Sequence, residues 1–275
     1  MKNWERGWRH GLRIAAIVLA AVMFAFPIYW LAAISVKSPD EVFAYPPVWV
    51  PAHPQLSSYI TLFRDGDVVS ILNSLIAATG STVLAVVLGS AAAYSIVRYK
   101  TGGSHLTTWI ISQRMVPPIT IAFPVFLLFT GAKLVDTHVG LIILYTAFNL
   151  PYVIWMMRGY IQEVPIELEQ SAMIDGLSRW QVLPKVVLPM VKGGLFATAV
   201  FTFLFAWNEF LFALVLTRSE VVTYPVQVTG YFGSQSTFWS KIGAMSMLGL
   251  IPIAIVVGTM QRFIVRGISM GAVKG

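Results

Sequence analysis

Residues 68–97 read VVSILNSLIAATGSTVLAVVLGSAAAYSIV, and these 30 consecutive residues include no Asp, Glu, Lys or Arg. A membrane-spanning helix needs about 20 largely apolar residues. A helix on the surface of a soluble domain carries charged residues on the face that meets water. The stretch therefore predicts a helix that crosses a lipid bilayer.

The composition of the whole chain agrees with a membrane protein. Of its 275 residues, 57% are hydrophobic and 11% are charged, against about 25% charged residues in an ordinary soluble domain. The mean hydropathy is +0.74. Disorder, a fibrous protein and a cytosolic enzyme are therefore excluded. There is no Cys, so thiolate metal sites, disulfides and a cysteine nucleophile are excluded as well.

Five further apolar stretches predict five further spans. Three of them are free of charge, and the other two are interrupted once each, by Arg114 and by Glu209. The predicted fold is an all-α integral membrane protein in one transmembrane domain, 1–275, with prolines inside several spans that predict kinks. The six spans lie at about 12–36, 68–98, 105–130, 138–158, 190–216 and 242–265.

The distribution of basic residues predicts the orientation. With both termini in the cytoplasm, 13 Lys and Arg residues lie inside and 5 lie outside, as the positive-inside rule requires. The net charge of +7 could suggest a nucleic acid partner, but the basic residues flank the spans and do not cluster on one face. We expect contact with membrane lipid and no nucleic acid.

Residues 159–190 read GYIQEVPIELEQSAMIDGLSRWQVLPKVVLPM and predict two short helices joined at a glycine, 159–189, on the cytoplasmic face. Pro165 suits the start of a helix, Gly176 suits its end, and a second short helix starts near Ser178. This shape suits a groove on another protein. The alternative is a helix lying flat in the membrane interface, but four acidic residues in the segment disfavour contact with an acidic leaflet.

The spacing within this segment resembles the signature of membrane subunits of ATP-binding-cassette (ABC) importers. That signature is Glu-Ala-Ala, three residues, Gly, nine residues, then Ile-x-Leu-Pro; the chain has Gln170-Ser171-Ala172, Gly176 and Val186-Val187-Leu188-Pro189. The resemblance implies that 159–189 is a cytoplasmic coupling segment, with a coupling helix that docks on an ATPase. The residues expected to serve this coupling are Glu169, Gln170, Ser171, Ala172, Asp175, Gly176, Leu188 and Pro189.

Other stretches resemble the second permease of maltose-type importers. They are Trp207-Asn208-Glu209-Phe210, Asn149-Leu150-Pro151 and the tail 261–275. The resemblance implies a type I ABC importer permease that carries a sugar or sugar-like solute across the bacterial inner membrane. It also implies a second permease subunit, an ATPase dimer that binds ATP and Mg, and an external solute-binding protein.

No bond chemistry is expected on this chain itself. It contains no Gly-Lys pair, so the phosphate-binding loop of an ATPase is absent from the sequence. The four His residues show no metal-ligand spacing. We expect a transport subunit, not an enzyme, with no cofactor and no metal of its own.

Arg114 and Glu209 lie within apolar spans, where a charge costs about 3 kcal/mol and needs a partner or water. They could line the solute path or pair with each other, and Arg114 could instead cap carbonyls freed by Pro117 and Pro118. For Glu209 and Asn208, structural hydrogen bonding between helices is the favoured alternative. An alternative class, an ion-coupled secondary transporter, would use both charges as a relay. The candidates for the solute path are Gln113, Arg114, Asn149, Trp207, Asn208 and Glu209.

The outer segment 217–240 contains a glycine-bounded aromatic stretch. The resemblance suggests that it contacts the solute-binding protein, while a plain surface loop is an equal alternative. The candidates are Gly230, Tyr231, Phe232, Gly233 and Gln235.

Overall fold

The structure is a computed structural model that describes the backbone of residues 2–232 and 236–272 and the side chains of residues 10–103, 105–232 and 238–261. Every regular element within those ranges is helical, which confirms the all-α class. The helices are α1 Lys2–Val36, α2 Pro39–Val42, α3 Ser57–Arg64, α4 Val69–Tyr99, α5 Gly103–Ser112, α6 Pro118–Gly131, α7 His138–Gln162, α8 Ile166–Ile174, α9 Arg179–Val182, α10 Leu188–Met190, α11 Lys192–Trp207, α12 Leu211–Leu216, α13 Tyr224–Gly230 and α14 Ser236–Ala272.

Within the part of the chain that the structure describes, four helices are each long and apolar enough to cross a membrane. They lie at His10–Val36, Val69–Tyr99, His138–Gln162 and Phe238–Gln261. Two helix pairs meet the same criterion only together, because each pair bends sharply at a short break: His105–Met115 with Pro118–Gly131, by 95°, and Arg179–Met190 with Lys192–Trp207, by 87°. The count of six predicted spans is reached when each bent pair is one span.

The first bend has a clear cause in the sequence. A 3-10 turn over Gln113–Met115 follows α5. Pro117 comes directly before α6, and Pro118 is its first residue. Neither proline can donate a backbone hydrogen bond to the preceding turn. The helix ladder is therefore interrupted beside Arg114, and the predicted third span is not one straight helix.

The predicted fifth span also differs from a single helix. Between α11 and α12 the backbone leaves the helix at residues 208–210, which places Glu209 at a helix start and not in a helix interior. Before α11, a π-helical turn over Leu183–Val187 and the short α10 lead into the span.

The described residues fall into two compact units, one from 1–68 and 228–250 and the other from 69–227 and 251–275. Within the first, α14 approaches α1 so closely that a Cβ on Gly243 would lie 2.8 Å from the Ser35 backbone nitrogen. The Ser240 hydroxyl donates to the Lys37 carbonyl at 3.3 Å. Lys241 forms an ion pair with Asp65 at 3.3 Å.

In the second unit, the most extensive contact joins α4 and α7, and α11 packs on both. Small residues permit this approach: a Cβ on Gly89 would lie 2.5 Å from Cγ1 of Val153, and Ala78 and Ala85 are fully buried. Membrane helices associate through such close packing because lipid supplies no hydrophobic drive between them. The coupling segment packs against this α4–α7 pair.

The apolar core of this unit forms two clusters. One surrounds Trp207, which is completely buried between Phe203 and Tyr224 at ring-centroid distances of 5.9 and 5.6 Å. The other contains Val153 and Met157 of α7 together with side chains from the coupling segment. Those side chains are Val164, Val182 and Val187.

Candidate functional site

The coupling segment folds as two short helices joined at a glycine. Pro165 precedes α8 in an extended conformation, as suits a residue that has no N–H to leave unpaired. Gly176 has φ of +92° and lets the chain turn after α8. The Leu177 N–H donates to the Ala172 carbonyl at 3.1 Å, which satisfies one of the helix's last acceptors.

The second short helix is capped by its own sequence. The Ser178 N–H donates to the side chain of Gln181 at 3.1 Å, as in a capping box. α9 packs against α8, and the π-helical turn packs against both. Val182 and Val187, which are completely buried, hold this half of the segment to the core of α4 and α7.

The inner face of α8 carries one buried side chain, and it is the carboxylate of Glu169. Arg98 at the end of α4 donates from Nε to its Oε1 at 2.6 Å. The Tyr94 hydroxyl donates to its Oε2 at 2.8 Å. Both carboxylate oxygens are therefore paired within the chain, and Glu169 does not face outward with the other expected coupling residues.

The guanidinium of Arg98 also holds the end of α7. Its Nη2 donates to the carbonyls of Ile161 at 3.1 Å and Val164 at 2.7 Å. These carbonyls lie where a helix ends and lacks intrahelical donors. A buried ion pair is stable only when its remaining polar atoms are hydrogen-bonded, and removal of one partner costs about 3–5 kcal/mol. In this pair both Glu169 oxygens and the Nε and Nη2 atoms of Arg98 are hydrogen-bonded.

The outer face of the coupling segment carries both polar and apolar side chains. Gln170, Ser171 and Asp175 are exposed, Ala172 is half-buried, and the space around Gly176 is open. Two large apolar side chains that were not among the expected coupling residues stand out here: Ile174 is 86% exposed and Trp180 is 91% exposed. Exposed apolar surface that is contiguous is typical of sites that contact other proteins or a membrane. A Trp next to the glycine turn was the available signal in the sequence.

The return towards the membrane runs through α10. Leu188 is half-buried and packs against the core cluster that contains Val187, whereas Pro189 is exposed. The π-helical turn just before it ends with the Leu188 N–H donating to the Leu183 carbonyl. The chain then bends by 87° into α11.

A cavity of about 750 Å³ lies beside the α5–α6 bend. Gln113 and Arg114, two of the expected solute-path residues, line it. The other lining residues are Trp109, Ile110, Val116, Pro118, Ile121, Ala147, Phe148, Leu150, Pro151 and Ile154. The lining is mainly apolar and aromatic, with a few polar groups, as is usual for small-molecule sites.

Arg114 is held over aromatic rings. Its Cζ lies 5.0 Å from the ring centre of Phe205 and 5.6 Å from that of Tyr152. Its Nη1 donates to the Phe148 carbonyl at 3.3 Å, in the turn of α7 before Pro151. Among the described side chains, no carboxylate lies within ion-pair distance of Arg114, so the pair with Glu209 considered above does not form here.

Glu209 instead caps a helix. Its two carboxylate oxygens accept from the N–H groups of Phe212 at 2.9 Å and Ala213 at 3.0 Å, in the first turn of α12. A carboxylate in this position satisfies orphan donors and favours the positive end of the helix dipole. The break at 208–210 makes this arrangement possible.

The other expected solute-path residues do not converge on the cavity surface. Asn149 is buried in α7, and Trp207 is packed in the core. The Asn208 side chain is exposed and donates to the Leu204 carbonyl at 2.8 Å. Of the six candidates, only Gln113 and Arg114 line the cavity.

The residues expected to contact the solute-binding protein are also only partly exposed. Gly230 ends α13, and Phe232 is 62% exposed. Tyr231 is buried, and its hydroxyl donates to Asp67. Gly233 and Gln235 lie outside the described residues.

A carboxylate that the sequence did not single out organises the connection after α12. Asp136 accepts hydrogen bonds from four consecutive backbone N–H groups, those of residues 218–221, each at 3.0 Å. Partial burial raises the pKa of the Asp136 carboxyl, but the four donors outweigh it and lower the pKa to about 2. No cluster of three or more His, Asp or Glu side chains within the described ranges is placed to hold a metal ion.

Residues 85–270 match the family model described as "Binding-protein-dependent transport system inner membrane component". The chain belongs to this family. It is a permease subunit of an ABC importer in the inner membrane, where it works in a complex with an ATPase and a solute-binding protein. It is a transport component and not an enzyme, because the ATPase is a separate chain.

Two curated relatives and one solved structure are similar over nearly the whole chain. A probable ABC transporter permease of Sinorhizobium fredii is 36% identical over 255 residues, which cover 92% of each chain. The trehalose transport system permease protein of Mycobacterium tuberculosis is 35% identical over 256 residues, 90% of this chain and 92% of the relative.

The solved structure is of a bacterial ABC transporter involved in the import of the acidic polysaccharide alginate. The TM-score is 0.75 at 24% identity, with 94% of this chain and 97% of that chain covered. At this identity the likeness concerns the fold, and it agrees with the type I importer fold expected from the sequence.

Proposed function

We propose that the permease translocates a sugar or sugar-like solute. The observation that carries this proposal is the similarity over 90% of the chain to a trehalose permease. The cavity beside α5 and α6 supports it, because Trp109 offers an aromatic face and Gln113 and Arg114 offer hydrogen-bond donors. Sugars combine apolar ring faces with hydroxyl groups, and such a lining suits both.

In this proposal the solute passes beside the α5–α6 bend. Arg114 is exposed to the cavity, and its guanidinium is oriented by two aromatic rings and one carbonyl. An arginine has five N–H donors, so donors remain for solute hydroxyls or for an anionic group. Asn149, Trp207, Asn208 and Glu209 support the surrounding helices and do not contact the solute.

The coupling segment docks on the ATPase through its outer face. Gln170, Ser171, Ala172, Asp175 and Gly176 form the contact, together with the exposed Ile174 and Trp180. An indole ring that is 91% exposed is a common anchor of protein interfaces. ATP and Mg bind to the ATPase dimer, and closure of that dimer displaces the coupling segment.

The remaining partners follow from the same assembly. A second, similar permease completes the membrane path, and the two termini of this single transmembrane domain lie in the cytoplasm. The external solute-binding protein contacts the outer segment near Gly230 and Phe232. Tyr231 is buried and supports this contact indirectly, because its hydroxyl donates a hydrogen bond to Asp67 and so holds the segment in place.

The test is transport by the complete complex in proteoliposomes. The four-part membrane complex is reconstituted with its solute-binding protein, and uptake of radiolabelled trehalose, maltose and diacetylchitobiose is measured with ATP inside or outside the vesicles. We expect uptake of at least one sugar that depends on ATP on the ATPase side.

Two results would contradict the proposal. Uptake that ignores ATP and follows an imposed proton gradient would indicate the ion-coupled class. Binding of amino acids or metal ions, but of no sugar, by the cognate solute-binding protein would exclude the proposed solute class.

A further inference from the structure

We propose that Glu169 is a positioning residue that makes the coupling helix move as one body with α4 and α7. The proposal concerns a junction formed by Glu169 of α8, Arg98 and Tyr94 of α4, and the α7 end at Ile161 and Val164, which we call the Arg98–Glu169 junction. It rests on the proposed docking of the coupling segment on the ATPase.

The first reason is that α8 has no apolar anchor of its own. Its large apolar side chains are at least two-fifths exposed: Ile166 46%, Leu168 42%, Met173 40% and Ile174 86%. Glu169, at 3% exposure, is the one buried side chain of this helix. A helix that receives force on its outer face needs an attachment on its inner face, and in α8 that attachment is a carboxylate.

The second reason is the way in which the junction joins three helices. The Glu169 carboxylate binds α4 twice, through Arg98 at 2.6 Å and Tyr94 at 2.8 Å. The same guanidinium binds the carbonyls at the end of α7 at 2.7 and 3.1 Å. A rotation of α8 relative to α4 would break charge-assisted hydrogen bonds between side chains that are only 11% and 4% exposed. Such bonds are short and directional, so they fix orientation more strictly than apolar contact does.

The third reason is the position of the junction relative to the core. α4 and α7 form the most extensive helix contact of this unit, and Gly89 and Val153 approach each other closely between them. The solute cavity is lined by residues of this same α7, including Phe148 and Pro151. A displacement of α8 that carries α7 with it therefore reaches the cavity wall.

The test measures movement within the chain directly. The protein contains no Cys, so two introduced cysteines can carry spin labels without background. Lys100, directly after α4, and Ile166, at the start of α8, are both exposed and lie outside the proposed ATPase contact. The distance between the labels is measured by pulsed electron resonance in the full complex, both nucleotide-free and trapped with ATP and vanadate.

For the native junction we expect one narrow distance distribution that is the same in both states. Glu169→Gln preserves the shape, since its amide can still accept from Arg98 and donate to the Tyr94 oxygen, but it removes the charge. We expect a broad or state-dependent distribution in this variant. Loss of one hydrogen bond to a charged group changes an equilibrium about tenfold or more, so we expect uptake to fall by that factor while ATP hydrolysis continues.

Two further variants keep the test decisive. Glu163→Gln makes the same change at an exposed acid after α7 and should leave both the distances and uptake unchanged. Tyr94→Phe removes one donor to Glu169 and should broaden the distribution to a smaller extent, even if Glu169→Gln fails to assemble.

Three results would overturn the proposal. In the first, the native label distance differs between the two nucleotide states. In the second, Glu169→Gln and Tyr94→Phe both match Glu163→Gln in distance and uptake. In the third, uptake falls only in proportion to the amount of assembled complex, as a purely structural role predicts. Absence of ATP-driven uptake by the native complex would instead contradict the proposed function, because the label distances do not depend on the solute.

Discussion

At the scale of single residues, Glu169 and Glu209 show how partners decide the task of a carboxylate. Each lies in largely apolar surroundings, where an unpaired charge is costly. Glu169 pairs with the cationic Arg98 from another helix, whereas Glu209 accepts from backbone N–H groups three and four residues further along the chain. Glu169 thus connects α8 to α4, whereas Glu209 caps the start of α12.

The capping role of Glu209 leads to a prediction about its replacement. Glu209→Gln keeps an acceptor for one of the two N–H groups, so we expect uptake within a few-fold of native. Glu209→Leu removes both acceptors, and an N-cap loss costs about 1 kcal/mol, so we expect lower thermal stability of the complex and lower uptake. The measurement is uptake and melting temperature side by side. Complete loss of uptake in Glu209→Gln would indicate a charge-relay role instead.

Gly176 provides a prediction about backbone conformation. With φ at +92° and no atom within 4 Å of an added Cβ, a substitution there meets backbone strain and not an internal clash. We expect Gly176→Asn to keep more uptake than Gly176→Ala, because Asn tolerates positive φ better than other residues. Gly176→Leu should abolish uptake, since its side chain would project from the proposed docking face. Equal uptake for all three variants would contradict the coupling role of this turn.

Asp136 leads to a prediction about pH. Four backbone donors lower its pKa from an ordinary 3.8 to about 2. The ionised carboxylate is therefore more stable in the folded protein than in the unfolded chain. The resulting stabilisation is complete above the ordinary pKa and is lost as the pH falls through the folded pKa. We expect the difference in melting temperature between native protein and Asp136→Asn to shrink between pH 5 and pH 2. A difference that stays constant over that range would contradict this origin.

At the scale of helices, small residues set how closely α7 and α11 approach. Gly193 and Gly194 are neighbours in α11, but only Gly194 faces α7. A Cβ on Gly194 would lie 2.3 Å from two ring carbons of Tyr160, whereas a Cβ on Gly193 would meet nothing within 4 Å. The two positions therefore form a matched pair for testing this packing.

We expect Gly194→Ala to lower the melting temperature of the purified complex, because the Tyr160 ring or the backbone of α11 must move. Gly193→Ala should be neutral or slightly stabilising, since alanine favours a helix over glycine by about 1 kcal/mol. Equal melting temperatures for the two variants would contradict close packing of α11 against the Tyr160 ring of α7.

The bend between α5 and α6 has an angle that the sequence pattern does not predict. An apolar stretch with a single charge predicts one span, yet Pro117 and Pro118 turn the chain by 95°. The two prolines were visible in the sequence, and a kink was expected from them. The size of the bend was not, because it depends on how α6 packs against α12.

At the scale of the whole molecule, charge distribution predicts how the chain sits in the membrane. Because 13 of the basic residues lie on one predicted side and 5 on the other, we expect both termini in the cytoplasm. The absence of native Cys makes the test direct. A cysteine at His53 should react with a membrane-impermeant thiol reagent added to intact spheroplasts, whereas a cysteine at Lys100 should react only after permeabilisation. The reverse pattern would refute the predicted orientation.

Properties that depend on local chain chemistry could be predicted from the sequence alone. The length of apolar stretches predicted a helical membrane protein, and residues 69–97 of the charge-free stretch 68–97 lie within one helix, α4. Pro165 and Gly176 predicted the start and the end of α8. The spacing around Gly176 identified the ABC importer family, which the family match confirms. These features are encoded within a few residues of one another, so no knowledge of the packed chain is needed.

Only the tertiary structure decided which side chains meet. The sequence placed Glu169 among residues facing a partner and Trp207 beside the solute, but the structure pairs Glu169 with Arg98, 71 positions away, and buries Trp207 in the core. The sequence left the role of Glu209 open, and in the structure the break after α11 allows this side chain to cap α12. A residue's own chemistry states what kind of partner it needs, whereas the approach of distant helices determines which partner it finds.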